Sequence, residues 1–428
     1  MRRSPLLARA DAVPNPDDDV DASVPARYGA PLREQNALAA GRAASALARD
    51  VVAVTGPDRL SWLNSLSSQE MARLVPGDGG VEALLLDAQG HITHALACVD
   101  DGETLLLVTE AGRGQALAQF LDSMRFMLRV EVSFREDVAV LAALGEGGSA
   151  LEAAARAADA YVATWRDPWP GVVEGGTSYD VGLDRPHPGA GYRATWVLVG
   201  ADAAGQVAQA FLAGGGEEAA GTDGARGTAG AAPGMPGRSL AGSVAWEALR
   251  VEAGRPRWAR EVDARTIPHE LDWLRTAVHL SKGCYPGQET VARTLNLGRP
   301  PRRLTVLQLD GFTGQMPLPG ATVRWGERAV GAVTSVVRHV DYGPMALALL
   351  RRGVPADAPL TVDITAEPDP RDAAEPDEEP EVVARVDAAQ EPLVSPEGRA
   401  QASPAERPGA GLARRETRGQ AAGRDLLR

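Results

Sequence analysis

The chain has 428 residues, 44% apolar and 24% charged, with a formal net charge of −13. That composition is globular and excludes collagen, a coiled coil and a wholly disordered chain. The acidic balance argues against direct nucleic-acid binding. Two cysteines are too few for a disulfide framework or a self-contained iron–sulfur or zinc site, so no metal is expected. No apolar run reaches the ~18 residues of a membrane span, and no secretory core follows Arg2 and Arg3. A cytoplasmic, reducing setting away from membranes is expected.

Residues 1–40 are poor in aromatics and carry Asp17-Asp18-Asp19, which predicts a mostly disordered leader. A folded core is expected over 41–299. Gly56-Pro57-Asp58 reads as a turn with Asp58 as N-cap of the helix that follows. Strands are expected at 83–87, 91–99, 105–109, 130–134, 138–144 and 196–199, with a helix at 115–124. Residues 214–238 hold nine glycines and no aromatic, which predicts a flexible insertion. A helix follows near 244–251.

Short strands punctuated by Gly and Pro over 300–366 predict a small C-terminal β-barrel. Residues 367–428 contain no aromatic, and 367–397 hold eleven acidic residues against two arginines. They read as a disordered acidic tail, dispensable for the fold. The whole is α+β with much antiparallel pairing.

His91, His94 and Cys98 suggest a metal cluster, but strand alternation sends His91 to the face opposite His94 and Cys98. Gly112-Arg-Gly114 follows a strand and opens a helix, yet lacks the third glycine of a dinucleotide loop. Of 44 basic residues, every one but Lys282 is arginine. That lysine lies two residues before Cys284, where an ammonium can favour a reactive thiolate. Lys282-Gly283 also excludes a Walker A loop, which needs Gly-Lys-Ser/Thr. Gly283 and Gly287 let backbone approach a ligand closely, and Gln288 to Asn296 can form a helix closed by Gly298. A packed cysteine in a tight turn remains the plain alternative for Cys284.

The run Lys282-Gly283-Cys284-Tyr285-Pro286-Gly287-Gln288-Glu289, extended by Arg293, resembles the hallmark of the YgfZ-type folate-binding proteins, relatives of the glycine-cleavage T-protein, an aminomethyltransferase. Arg250-Val-Glu252-Ala-Gly254, Thr266-Ile-Pro268 and Gly56-Pro57-Asp58-Arg59-Leu60 are similar to further segments of that superfamily. The resemblance spans about residues 40–365.

It implies a multi-part α+β body around a central folate pocket, plus the β-barrel. It implies tetrahydrofolate or a one-carbon derivative as cofactor, with Glu252 and Arg250 at the pterin and Cys284 with Lys282 as the functional thiol motif. It implies a role in assembly, maintenance or repair of iron–sulfur enzymes, including tRNA-modifying ones. Partners would be iron–sulfur enzymes or cluster-assembly proteins. The Asp pair of the aminomethyltransferase is replaced by Thr93 and His94, which argues against that chemistry. A tetrahydrofolate-dependent one-carbon transferase or demethylase stays open as the alternative, as does a plain folate-binding module with a structural Cys284.

Overall fold

The computed structural model describes residues 2–220, 237–312, 314–366 and 381–405. The predicted insertion lies largely outside the described residues; the part inside them begins as the end of a helix, Ala204–Ala220. Residues 367–380 and 406–428 of the predicted tail also lie outside.

Two five-stranded sheets and a closed six-stranded barrel make up the body. The first sheet runs in the order Tyr161–Arg166, Ala194–Gly200, Val138–Leu144, Ala43–Leu47, Ser239–Ala241. The second runs Val81–Leu86, Ile92–Asp100, Thr104–Glu110, Arg49–Thr55, Glu131–Phe134. All pairings are antiparallel except Ser239–Ala241 with Ala43–Leu47. The α+β expectation and the C-terminal barrel are borne out.

The turn between the first two strands of the second sheet is built by Asp87. Its carboxylate accepts from the amides of Gln89 (2.9 Å) and His91 (2.8 Å) and meets His91 Nδ1 at 2.9 Å. An aspartate that bonds its own backbone two residues on is the standard device for such a turn. His91 is thereby spent on the turn. Among the described residues no group of three His, Cys, Asp or Glu side chains is placed to hold a metal.

The leader is not disordered. Residues Pro31–Ala39 form a helix, and Val13–Pro14 pairs with Pro25–Arg27. Leu6, Val24 and Leu38 are buried. A Cβ on Gly242 would stand 2.1 Å from the carbonyl oxygen of Ala26, so the leader lies directly on the start of helix Ser243–Glu252. Two of its aspartates are counterions to the body of the protein: Asp19 pairs with Arg260 and Asp21 with Arg257.

The tail is corrected in the same way. Val382–Pro392 is the strand that closes the barrel, between Leu360–Thr365 and Arg302–Leu309. Leu393, Val394 and Ala400 beyond it are buried. The strand was illegible because its outward positions are charged and its inward ones are small, such as Ala388 and Val386. Asp58 is corrected too. It makes no capping bond to the helix Arg59–Leu66; its carboxylate holds the amide and guanidinium of Arg129 instead.

Helix Ser243–Glu252 positions the site. Ala245, Trp246, Ala248, Leu249 and Val251 are buried, the near-continuous apolar surface expected of a helix covered on several sides. It packs against the leader helix and the barrel strand Arg328–His339.

Candidate functional site

Where the two sheets meet this helix lies a narrow, partly open cavity of about 50 Å³. Aromatic walls come from Trp165, Tyr192, Trp196, Trp246, Trp258 and Trp273. Charged groups at its lining are Arg49, Arg250, Arg255 and Arg257 with Glu82, Glu110 and Asp167.

These charges form one ordered network. Arg257 grips Asp21 of the leader with two bonds (2.9 and 3.0 Å) and meets Glu110 at 2.9 Å. Arg49 meets Glu110 from the other side at 3.1 Å and lies over the Trp196 ring, 5.2 Å from its centroid. Burial would raise the Glu247 carboxyl, but Arg250 and Arg257 outweigh it and hold it well below the usual range. Buried charges of this kind persist only when paired and hydrogen-bonded.

Three donors on cavity-lining residues stand apart. Arg255 Nη1, Trp196 Nε1 and Trp258 Nε1 are buried and have no hydrogen-bond partner. A buried donor without a partner costs about 1–3 kcal/mol, so three at one cavity call for acceptors from a ligand or from water. The guanidinium of Arg113 stacks on the outer ring of this wall, 3.8 Å from the Trp258 centroid.

Of the residues expected at the pterin, Arg250 reaches the cavity but its fork is already spent. It donates to Glu247, Glu261, Ser335 Oγ and the carbonyl of Arg255. It ties the helix to the barrel. Glu252 does not line the cavity. Its carboxylate meets His339 Nε2 at 3.2 Å on the barrel side.

The thiol motif lies elsewhere. Lys282 and Tyr285 are buried while Gly283 and Cys284 are exposed. Lys282 Nζ donates to the carbonyls of Asn64 and Ser67 and lies 5.0 Å from the Tyr285 ring centroid. The expected thiol helper thus holds the end of helix Arg59–Leu66. Burial pushes Lys282 down to about 8, with Glu70 opposing. Gly287 serves protein rather than ligand. It has φ +78°, and a Cβ there would stand 2.7 Å from the Asp87 carbonyl and 2.9 Å from Gly90 Cα. The helix Gln288–Asn296 forms as expected. Gln288, Glu289 and Arg293 ride on it and none lines the cavity. Cys98 is buried, and burial pushes its thiol far up.

Thr93 is exposed and bonds the Leu85 carbonyl. Burial and Arg113 push His94 down to about 4. Neither lines the cavity, although Ala95 and Ala97 of the same strand do.

Glu82, Glu110, Asp167, Trp196, Arg255 and Arg257 were not singled out from the sequence. The crowding of Arg255-Pro256-Arg257-Trp258 was the available signal. The acidic partners gave none, because they come from separate segments of the chain.

No family model matches the chain. The fold is that of the glycine cleavage system aminomethyltransferase T from Bartonella henselae, with a TM-score of 0.62 at 18% identity, covering 92% of this chain and 97% of that one. The molecule is therefore a T-protein-fold protein with a charged, tryptophan-lined central cavity. A tRNA-modifying protein YgfZ of Yersinia enterocolitica is 34% identical over 130 residues, 29% of this chain and 39% of that protein. An Arabidopsis thaliana chloroplastic "putative transferase" is 39% identical over 94 residues, 22% of this chain and 21% of that protein. The matches thus span well under half the length of these curated relatives. Over those stretches the chain is similar to YgfZ-type proteins, and over its whole length it shares the T-protein fold.

Proposed function

We propose that this protein binds a reduced folate in the central cavity and acts as an accessory factor for iron–sulfur enzymes, with Cys284 as its functional thiol. The observation that carries the folate reading is the set of unpartnered donors on Arg255, Trp196 and Trp258 beside flat aromatic walls. A pterin offers ring-nitrogen and carbonyl acceptors on a planar, stackable frame, which suits such donors. A link to tRNA modification draws support from the similarity to tRNA-modifying proteins YgfZ; the iron–sulfur role and a cytoplasmic location follow only from the resemblance of the Lys282–Glu289 motif. Two cysteines, one of them buried, leave cluster contact to a transient state shared with a partner. Among the described residues no helix is long and apolar enough to cross a membrane.

The test has two arms. Calorimetry with 5-formyltetrahydrofolate should give saturable binding that weakens about tenfold in Arg255→Met, the scale of one charge-assisted hydrogen bond. Deletion of the gene, complemented by wild type or Cys284→Ala, should restore cluster-dependent enzyme activities only with the wild type. No saturable folate binding would end the first half of the reading; full rescue by Cys284→Ala would end the second.

A further inference from the structure

Among the carboxylates lining the cavity, Asp167 is in a different position from the rest. Glu82 is more nearly filled: Oε1 accepts from Arg255 Nη2 (2.7 Å) and Trp273 Nε1 (3.0 Å), and Oε2 from Thr276 Oγ1 (2.5 Å). Glu110 is bracketed by two guanidinium groups, Arg257 and Arg49. Asp167 accepts one bond on each oxygen, from Trp169 N (3.0 Å) and Arg255 Nε (2.9 Å). Among the described residues its one cationic partner, Arg255, is shared with Glu82. One guanidinium cannot neutralise two carboxylates, so the pair keeps a negative charge and Asp167 keeps spare acceptor capacity.

We propose that Asp167 receives a paired N–H donor edge of the ligand, an amino group beside a ring N–H, as on the aminopyrimidinone side of a reduced pterin. This rests on the folate reading above and gives Asp167 the role that resemblance had suggested for Glu252. The arrangement sorts a ligand by polarity. Its acceptors face Arg255 Nη1 and the indole N–H groups of Trp196 and Trp258, and its donors face Asp167.

The groups facing Asp167 are Arg255, Glu82 and Tyr192. Burial pushes the carboxyl up to about 6, with Arg255 opposing and Glu82 reinforcing. A donor edge binds the ionised form. Ligand binding below about pH 6 therefore expels a proton from Asp167, and affinity rises as pH rises through that value.

The test is calorimetry of 5-formyltetrahydrofolate with the full chain at pH 5.5 and 7.5, each in two buffers of different ionisation enthalpy. Net proton release is expected at pH 5.5 and almost none at pH 7.5. Asp167→Asn should bind about tenfold or more weakly at pH 7.5 and lose the proton release, while Glu252→Gln behaves as wild type. The proton count on the wild type needs no variant, so it decides even if Asp167→Asn folds poorly. Binding without proton release at pH 5.5, or a loss confined to Glu252→Gln, would overturn the assignment while leaving folate binding intact. No binding by the wild type at either pH would overturn the folate reading and this assignment together.

Discussion

Lys282 donates a 2.5 Å hydrogen bond to the carbonyl oxygen of Ser67, more than two hundred residues away in sequence. A second bond to the Asn64 carbonyl makes the ammonium a clasp on the C-terminal end of helix Arg59–Leu66. Carbonyls left unpaired at a helix end carry the negative pole of its dipole, and a cation there is favourable. The clasp fixes the loop that presents Cys284 on the surface.

Lys282→Met should therefore act on stability rather than on the thiol. Loss of two charge-assisted bonds from a buried site is expected to cost about 2–4 kcal/mol. Denaturant unfolding checks this. Alkylation of native protein should modify Cys284 and spare Cys98 in both wild type and variant. A large change in the Cys284 alkylation rate, with stability unchanged, would restore the role of thiol helper.

Arg257→Met should destabilise more strongly. It leaves Asp21, Glu110 and Glu247 short of a counterion in a buried network, and breaking such a network by removing one partner costs about 3–5 kcal/mol. The leader should also come loose, read as new protease cleavage before residue 31. A variant as stable and as protease-resistant as wild type would show that the leader is not held by this contact.

Truncation after residue 366 should abolish cooperative folding of the barrel, because it removes Val382–Pro392 and opens two sheet edges. Truncation after residue 405 keeps every contact described above and should leave the melting temperature close to that of the full chain. Thermal melts of the two truncations distinguish the cases. A barrel that still melts cooperatively without 382–392 would contradict the closed topology.

Stability should vary with pH through two opposed sets of buried groups. Burial pushes His94, His187 and His269 from 6.5 down to about 4. Between those values the unfolded chain binds protons that the native histidines refuse, so their contribution is lost as pH falls from 6.5 toward 4. Burial pushes Asp272 up to about 7 and Asp167 up to about 6. There the native state holds protons that the unfolded chain has released, so their contribution declines as pH rises from about 4. Replacing one histidine tips the balance. His269→Gln should lose less stability than wild type on acidification from pH 6.5 to 4, by up to about 1.4 kcal/mol per pH unit. Urea unfolding at several pH values measures it, and an unchanged slope would place His269 outside the acid response.

The sequence by itself determined the local and the periodic. Four of the five strands of the second sheet, helix Gln288–Asn296 and most of the barrel followed from alternation, turn residues and Gly punctuation, which are short-range effects. The motif around Cys284 was legible because its residues are contiguous, and the structure leaves that cysteine exposed beside a buried Lys282. What each charge does was decided only in three dimensions. Nothing local in the sequence marks Asp21 and Arg257 as partners; the fold brings them to 2.9 Å. Asp167, Glu82 and Arg255 come from separate parts of the chain and become one acceptor site only when two sheets converge. The leader and the closing strand were misread for the same physical reason. Polar composition predicts disorder when a segment must bury its own surface, but these segments are stabilised by partners that the rest of the chain supplies. A carboxylate has no periodicity that reveals where its cation lies, so the counterion, and with it the site, belongs to the tertiary structure.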